Sequence, residues 1–98
     1  MENAPDFADF QWDADVGKHV GRHGLRVAII HAVVKGTPRV FENTETGVGS
    51  HRVIGPDRRG RFWTIIFVQA RNGRWRPVTG WPSTAREIRR YKEDEDEG

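Results

Sequence analysis

The 98-residue chain contains no cysteine, a single methionine and a single tyrosine. Without cysteine there are no disulfides and no thiolate metal sites, as suits a reducing cytoplasmic compartment. Long apolar runs are also missing. The longest, Trp63–Val68, falls far short of the roughly 20 residues that a membrane-spanning helix needs. Residues 1–15 hold no lysine or arginine, so they do not read as a secretory leader. These absences lead us to expect a soluble cytoplasmic protein of one domain, small enough that its core is only marginally sufficient.

Charge is abundant but segregated. The net charge is only +2. Residues 1–15 carry five acids (Glu2, Asp6, Asp9, Asp13 and Asp15), and residues 92–98 carry five more beside Lys92. Residues 16–91 carry fifteen bases against Glu42, Glu45, Asp57 and Glu87, a net of +11. A basic body with acidic ends is the pattern of a polyanion-binding surface. The acidic block from Lys92 to Gly98 repels itself and is expected to be a disordered tail outside a domain of residues 1–91. Such a tail either only solubilises or competes for the basic surface.

The order of elements follows from periodicity and turn chemistry. Asp13 is placed to cap a helix over Ala14–His23, with Gly24 as its stop. Leu25–Val34 is apolar nearly all round and rich in β-branched residues. Gly24 and Gly36-Thr37-Pro38 bracket it as a second helix. Arg39–Glu42 and His51–Ile54 read as short strands, separated by a Gly/Thr-rich loop at Thr44–Ser50. Arg61–Ala70 is the longest strand and is apolar on both faces, which makes it central. Asn72-Gly73 is a hairpin turn signal leading to Trp75–Trp81. Pro77 argues for an edge or a bulge in that strand. Thr84-Ala85-Arg86-Glu87 matches a capping box that opens a last helix, with Ile88 and Tyr91 facing inward. The expected class is α+β: two N-terminal helices, a four-stranded antiparallel meander and a C-terminal helix, with the helices covering one face of the sheet.

Four stretches carry a resemblance. They are Phe10-x-Trp12-Asp13 with His19-x-x-Arg22-His23-Gly24-Leu25; Arg52-Val53-Ile54-Gly55; Gly60-Arg61-Phe62-Trp63; and Arg76-Pro77-Val78-Thr79-Gly80-Trp81 followed by Glu87 and Tyr91. In this order and spacing, over roughly residues 10–91, the chain resembles the BrnT family of type II toxins. The resemblance implies a RelE/ParE-like fold, ribonucleolytic activity and a cognate antitoxin protein as partner. It departs from the family pattern at His19, where asparagine is usual, and at Trp81, where arginine is usual.

Metal-independent RNA cleavage needs a proton acceptor, a proton donor and neutralisation of the charge that develops on phosphorus. Histidine serves either proton transfer near neutral pH, and arginine holds phosphate through paired donors. His19 and His23 are four apart and share one face of a helix, with Arg22 beside them. Arg22, His23, Arg52, Arg61 and Arg76 are the expected catalytic set. His19, Arg58, Arg59, Arg74 and Trp81 are expected to contact RNA. For His23 a helix-ending role stands beside the catalytic one. For Arg52, Arg61 and Arg76 a solvated sheet face stands beside a phosphate-binding surface. Trp63 and Trp12 read as core, and His31 as a buried or partner-facing group. No third ligand accompanies the two histidines, so neither metal nor cofactor is expected. Two other classes remain open: a catalytically silent module that binds RNA or an antitoxin, and an interaction protein forming a homo-oligomer through Leu25–Val34.

Overall fold

The computed structural model describes Phe10 and residues 24–43, 50–69, 71 and 73–97. The expected helix over Ala14–His23, the loop at 44–49, Trp12 and Asn72 lie outside the described residues. The elements run α1 (Val27–Lys35), β1 (Arg39–Asn43), β2 (Ser50–Pro56), β3 (Phe62–Gln69), β4 (Trp75–Pro82) and α2 (Ala85–Glu97). Among the described residues no helix is long and apolar enough to cross a membrane.

The β-branched run forms α1 despite its modest helix propensity, because burial outweighs propensity here. Ile30 and Val33, three apart on one stripe, are both 0 % exposed, and Val27, Ile29 and Val34 pack beside them. The helix ends where the Gly36 N–H bonds the Val33 carbonyl at 3.2 Å. Lys35 in the last turn complements the carbonyl end of the helix dipole.

The four strands form an antiparallel meander in the order β1-β2-β3-β4. β3 is central, as expected. Pro77 sits on the edge strand and beside a register shift: Ile66 faces Thr79 whereas Phe67 faces Pro77, so Val78 is the extra residue of a bulge. Edge and bulge, offered as alternatives by the sequence, occur together among the described strands.

The helices do not share one face of the sheet. Side chains alternate along a strand, so Trp63, Ile65 and Phe67 point to one side and Phe62, Thr64, Ile66 and Val68 to the other. The first side meets Leu25, Ile30, Val33 and Phe10 in the main core. The second side meets α2: Tyr91 lies edge-on to Phe62 with ring centroids 5.0 Å apart, and the Trp81 indole reaches Glu87. We call these the α1 face and the α2 face. The single-sided cover expected from element order is thus replaced by a helix on each side. The cause is visible in β3, whose residues Trp63–Phe67 are all buried and need apolar cover above and below.

The capping box forms as expected. The Glu87 N–H bonds Thr84 Oγ1 at 3.2 Å, and the Thr84 N–H bonds Glu87 Oε1 at 2.8 Å. Farther along α2, the Tyr91 hydroxyl donates to the Thr37 carbonyl at 2.6 Å, tying the helix to the chain just before β1. α2 continues past Lys92 to Glu97, taking in most of the acidic run that the sequence set apart as a tail.

Gly80 is where the α1 face is tightest. A Cβ there would collide with the Leu25 side chain and stand 3.1 Å from the Thr64 carbonyl oxygen. Gly80→Ala is therefore expected to cost on the order of 1–3 kcal/mol through overpacking. Chemical denaturation measures the loss. A variant as stable as wild type would show that Leu25 does not seat against β4.

Candidate nucleic-acid interface

The expected site residues divide between the two faces of the sheet. Directly paired residues share a face. Arg52 on β2 pairs with Ile66, and Arg76 on β4 pairs with Val68. Both arginines therefore stand on the α2 face, one on each side of β3. Two strand spacings put their backbones roughly 10 Å apart laterally. Both are half-buried. Arg76 Nε is buried with no hydrogen-bond partner among the described residues.

Beside Arg52 sits a carboxylate. Glu87, projecting from the first turn of α2, accepts the Trp81 indole N–H at 3.0 Å to Oε1 and 3.3 Å to Oε2. Its Oε2 lies 3.8 Å from Arg52 Nη1, and the side chains of Arg52 and Glu87 are only 22 % and 11 % exposed. Trp81, the residue in the position where the family resemblance expects arginine, thus has its N–H committed to Glu87. It is half-buried at the sheet–helix junction, and its polar edge is not directed outward for base recognition.

Arg61 goes elsewhere. It precedes β3, and its guanidinium lies over the Trp63 ring, 4.8 Å from the centroid, on the α1 side. It does not join Arg52 and Arg76. Arg58 and Arg59 are exposed at the tip of the β2–β3 turn. Arg74, just before β4, reaches the Phe10 carbonyl at 3.4 Å, and Phe10 packs on Phe67, again on the α1 side. His31 lies tilted at 42° against Phe10 with ring centroids 4.6 Å apart, and His51 meets Trp75 edge-on at 4.9 Å. Both of these imidazoles therefore lie on the α1 face, with the sheet between them and the Arg52–Arg76 pair. His19, Arg22 and His23 lie outside the described residues. Trp63 is core, as the sequence indicated. Among the described residues no group of three or more histidines, aspartates or glutamates is placed to hold a metal ion.

The β2–β3 turn that displays Arg58 and Arg59 is held by one aspartate. Asp57 Oδ1 accepts the backbone N–H groups of Arg59 and Arg61 at 2.8 and 3.0 Å, and Oδ2 accepts the Trp63 indole N–H at 3.0 Å. Gly60, at φ +85°, closes the turn with its N–H on the Asp57 carbonyl. Partial burial pushes the Asp57 carboxyl upward, but the Trp63, Arg59 and Arg61 hydrogen bonds and the Arg61 charge outweigh it, leaving the carboxyl below its ordinary value.

Glu87 is the residue that the sequence does not by itself assign to the site. A signal for it is present: Ile88 and Tyr91 mark the inward side of α2, and a carboxylate four residues before Tyr91 lies on the same helical face.

Comparison of the chain with protein-family models, curated proteins and solved structures returns no match.

The lowered Asp57 carboxyl implies a pH signature. A carboxylate with a depressed folded pKa stabilises the fold above its unfolded value, about 3.9, and that stabilisation fades as pH falls through the folded value. The Tm gap between wild type and Asp57→Asn should be constant from pH 7 to pH 5 and narrow below about pH 4. A gap independent of pH would remove the ionised carboxylate as the turn's anchor.

Proposed function

We propose that this chain is a metal-independent endoribonuclease toxin, BrnT-like with a RelE/ParE-like fold, and that a cognate antitoxin protein neutralises it. The observation that carries this reading is that Arg52 and Arg76 stand on one sheet face, flanking β3. Guanidiniums carried on one sheet face can contact phosphates along an RNA backbone and offset the charge that develops during in-line transfer. The basic body of residues 16–91 adds long-range attraction for RNA. Arg58 and Arg59, on their braced turn, supply sequence-independent phosphate contacts. Arg22 and His23 complete the set as charge stabiliser and proton-transfer group, with His19 as an auxiliary. Arg61, over Trp63, supports the fold and the basic field rather than the reacting phosphate.

A second reading is a catalytically silent module of the same fold that binds RNA or an acidic antitoxin segment. The engagement of Trp81 with Glu87 favours it, because no guanidinium stands at that position.

One assay separates the two. The purified chain is incubated with labelled single-stranded RNA in EDTA. Cleavage, reduced tenfold or more by Arg52→Ala, Arg76→Ala or His23→Ala, is the expected result. Arg58→Ala with Arg59→Ala should weaken binding and lower the salt slope by roughly 0.7 for each phosphate no longer neutralised. Binding without cleavage selects the silent module. A wild-type chain that neither binds nor cleaves RNA overturns both readings.

A further inference from the structure

We infer that Glu87 is a positioning residue that sets the working orientation of Arg52, an inference that rests on the RNA-cleaving function proposed for this face. Glu87 is one carboxylate serving three elements. It closes the N-terminus of α2 through the Thr84 N–H, ties that helix to β4 through the Trp81 indole, and faces Arg52 on β2 at 3.8 Å. The Glu87 side chain is 11 % exposed, so little water screens the pair.

Geometry gives this carboxylate work other than proton transfer. Oε1 already accepts the Thr84 N–H and the Trp81 indole, and Oε2 shares the indole and faces the guanidinium. Proton uptake from a ribose hydroxyl would compete with these donors and with the charge of Arg52. The effect of Glu87 on RNA runs through Arg52. At 3.8 Å the pair sits near the outer limit of an ion pair, so the carboxylate orients the guanidinium by charge without taking up one of its donors in a short hydrogen bond. A phosphate arriving there meets a cation whose rotamer is already restricted, so less entropy is lost in the reactive complex.

The substitution Glu87→Gln isolates this role. Glutamine satisfies a capping box as glutamate does, and its amide oxygen still accepts the Thr84 N–H and the Trp81 indole. The charge facing Arg52 is removed, and an amide NH2 takes the place of Oε2. Full-length Glu87→Gln, Arg52→Ala and the double variant are compared with wild type on labelled single-stranded RNA in EDTA. Melting curves and tryptophan fluorescence report the fold. Glu87→Gln should melt within a few degrees of wild type and keep KM within about threefold, with kcat about tenfold lower. On the Arg52→Ala background the same change should do nothing further. Additive effects, or a Glu87→Gln variant that cleaves like wild type, overturn the assignment. So does a parallel loss of stability, fluorescence and activity, which marks a merely structural carboxylate. A wild-type chain that binds RNA without cutting it refutes the nuclease reading alone. The same cycle is then read on affinity, where coupling of either sign keeps Glu87 as the positioning group and additivity removes it. A chain that binds no RNA overturns both together.

Discussion

A central strand that is apolar above and below can exist only between two covering layers, and the rest of this molecule follows from that requirement in β3. Trp63, Thr64, Ile65, Ile66 and Phe67 are consecutive and all buried. At roughly 25 cal/mol per Å² of apolar surface, leaving either side of such a strand wet would forfeit several kcal/mol, a large share of what a domain this small can hold. One helix cannot cover both sides. α1 therefore seats Ile30 and Val33 on the first, and α2 crosses the second with Tyr91 against Phe62.

Covering both sides also divides the polar chemistry. The α1 face carries the main core, and it takes the imidazoles of His31 and His51 into ring contacts with Phe10 and Trp75. The α2 face is only partly roofed. Its helix starts at β4 and reaches the β1 side by Tyr91, whose hydroxyl bonds Thr37. Arg90 lies over Phe41 there, and Arg39 over Tyr91. Under the first turn lie Trp81 and Arg52. Arg76 pairs with Val68 towards the opposite end of the strands. Helix placement thus decides which arginines are packed over aromatic rings and which stand beside a carboxylate.

Much of this is legible in the sequence, for reasons that differ by element. The capping box at Thr84 and Glu87 is a local rule and forms as written. Pro77 announces an edge or a bulge because proline lacks an N–H, and both occur. α1 is readable through its brackets at Gly24 and Gly36-Thr37-Pro38, although its β-branched residues argue for a strand. The placement of helices on the sheet is not readable from element order. It depends on how much apolar surface each side of β3 presents, whereas an apolar run by itself marks only a central strand. Within the site, Arg52 and Arg76 share a face because strand register puts them there, a long-range fact that spacing along the chain does not encode. Arg61 departs from them because Trp63, two residues on, offers a ring face for its guanidinium, a cation–π preference that a strand-start motif conceals. Glu87 is legible as a cap. Its second and third contacts need β2 and β4 to be brought beneath it.

The two margins of the sheet differ in a way that bears on assembly. Along β4, Pro77 removes a donor and the extra residue Val78 breaks the regular spacing of the ladder, so that margin is a poor template for another strand. β1 keeps five residues in unbroken register with β2. Among the described strands, an antiparallel β1–β1 contact between two copies would be isologous and would close at two, and the bulged β4 margin offers no regular ladder on which to continue it.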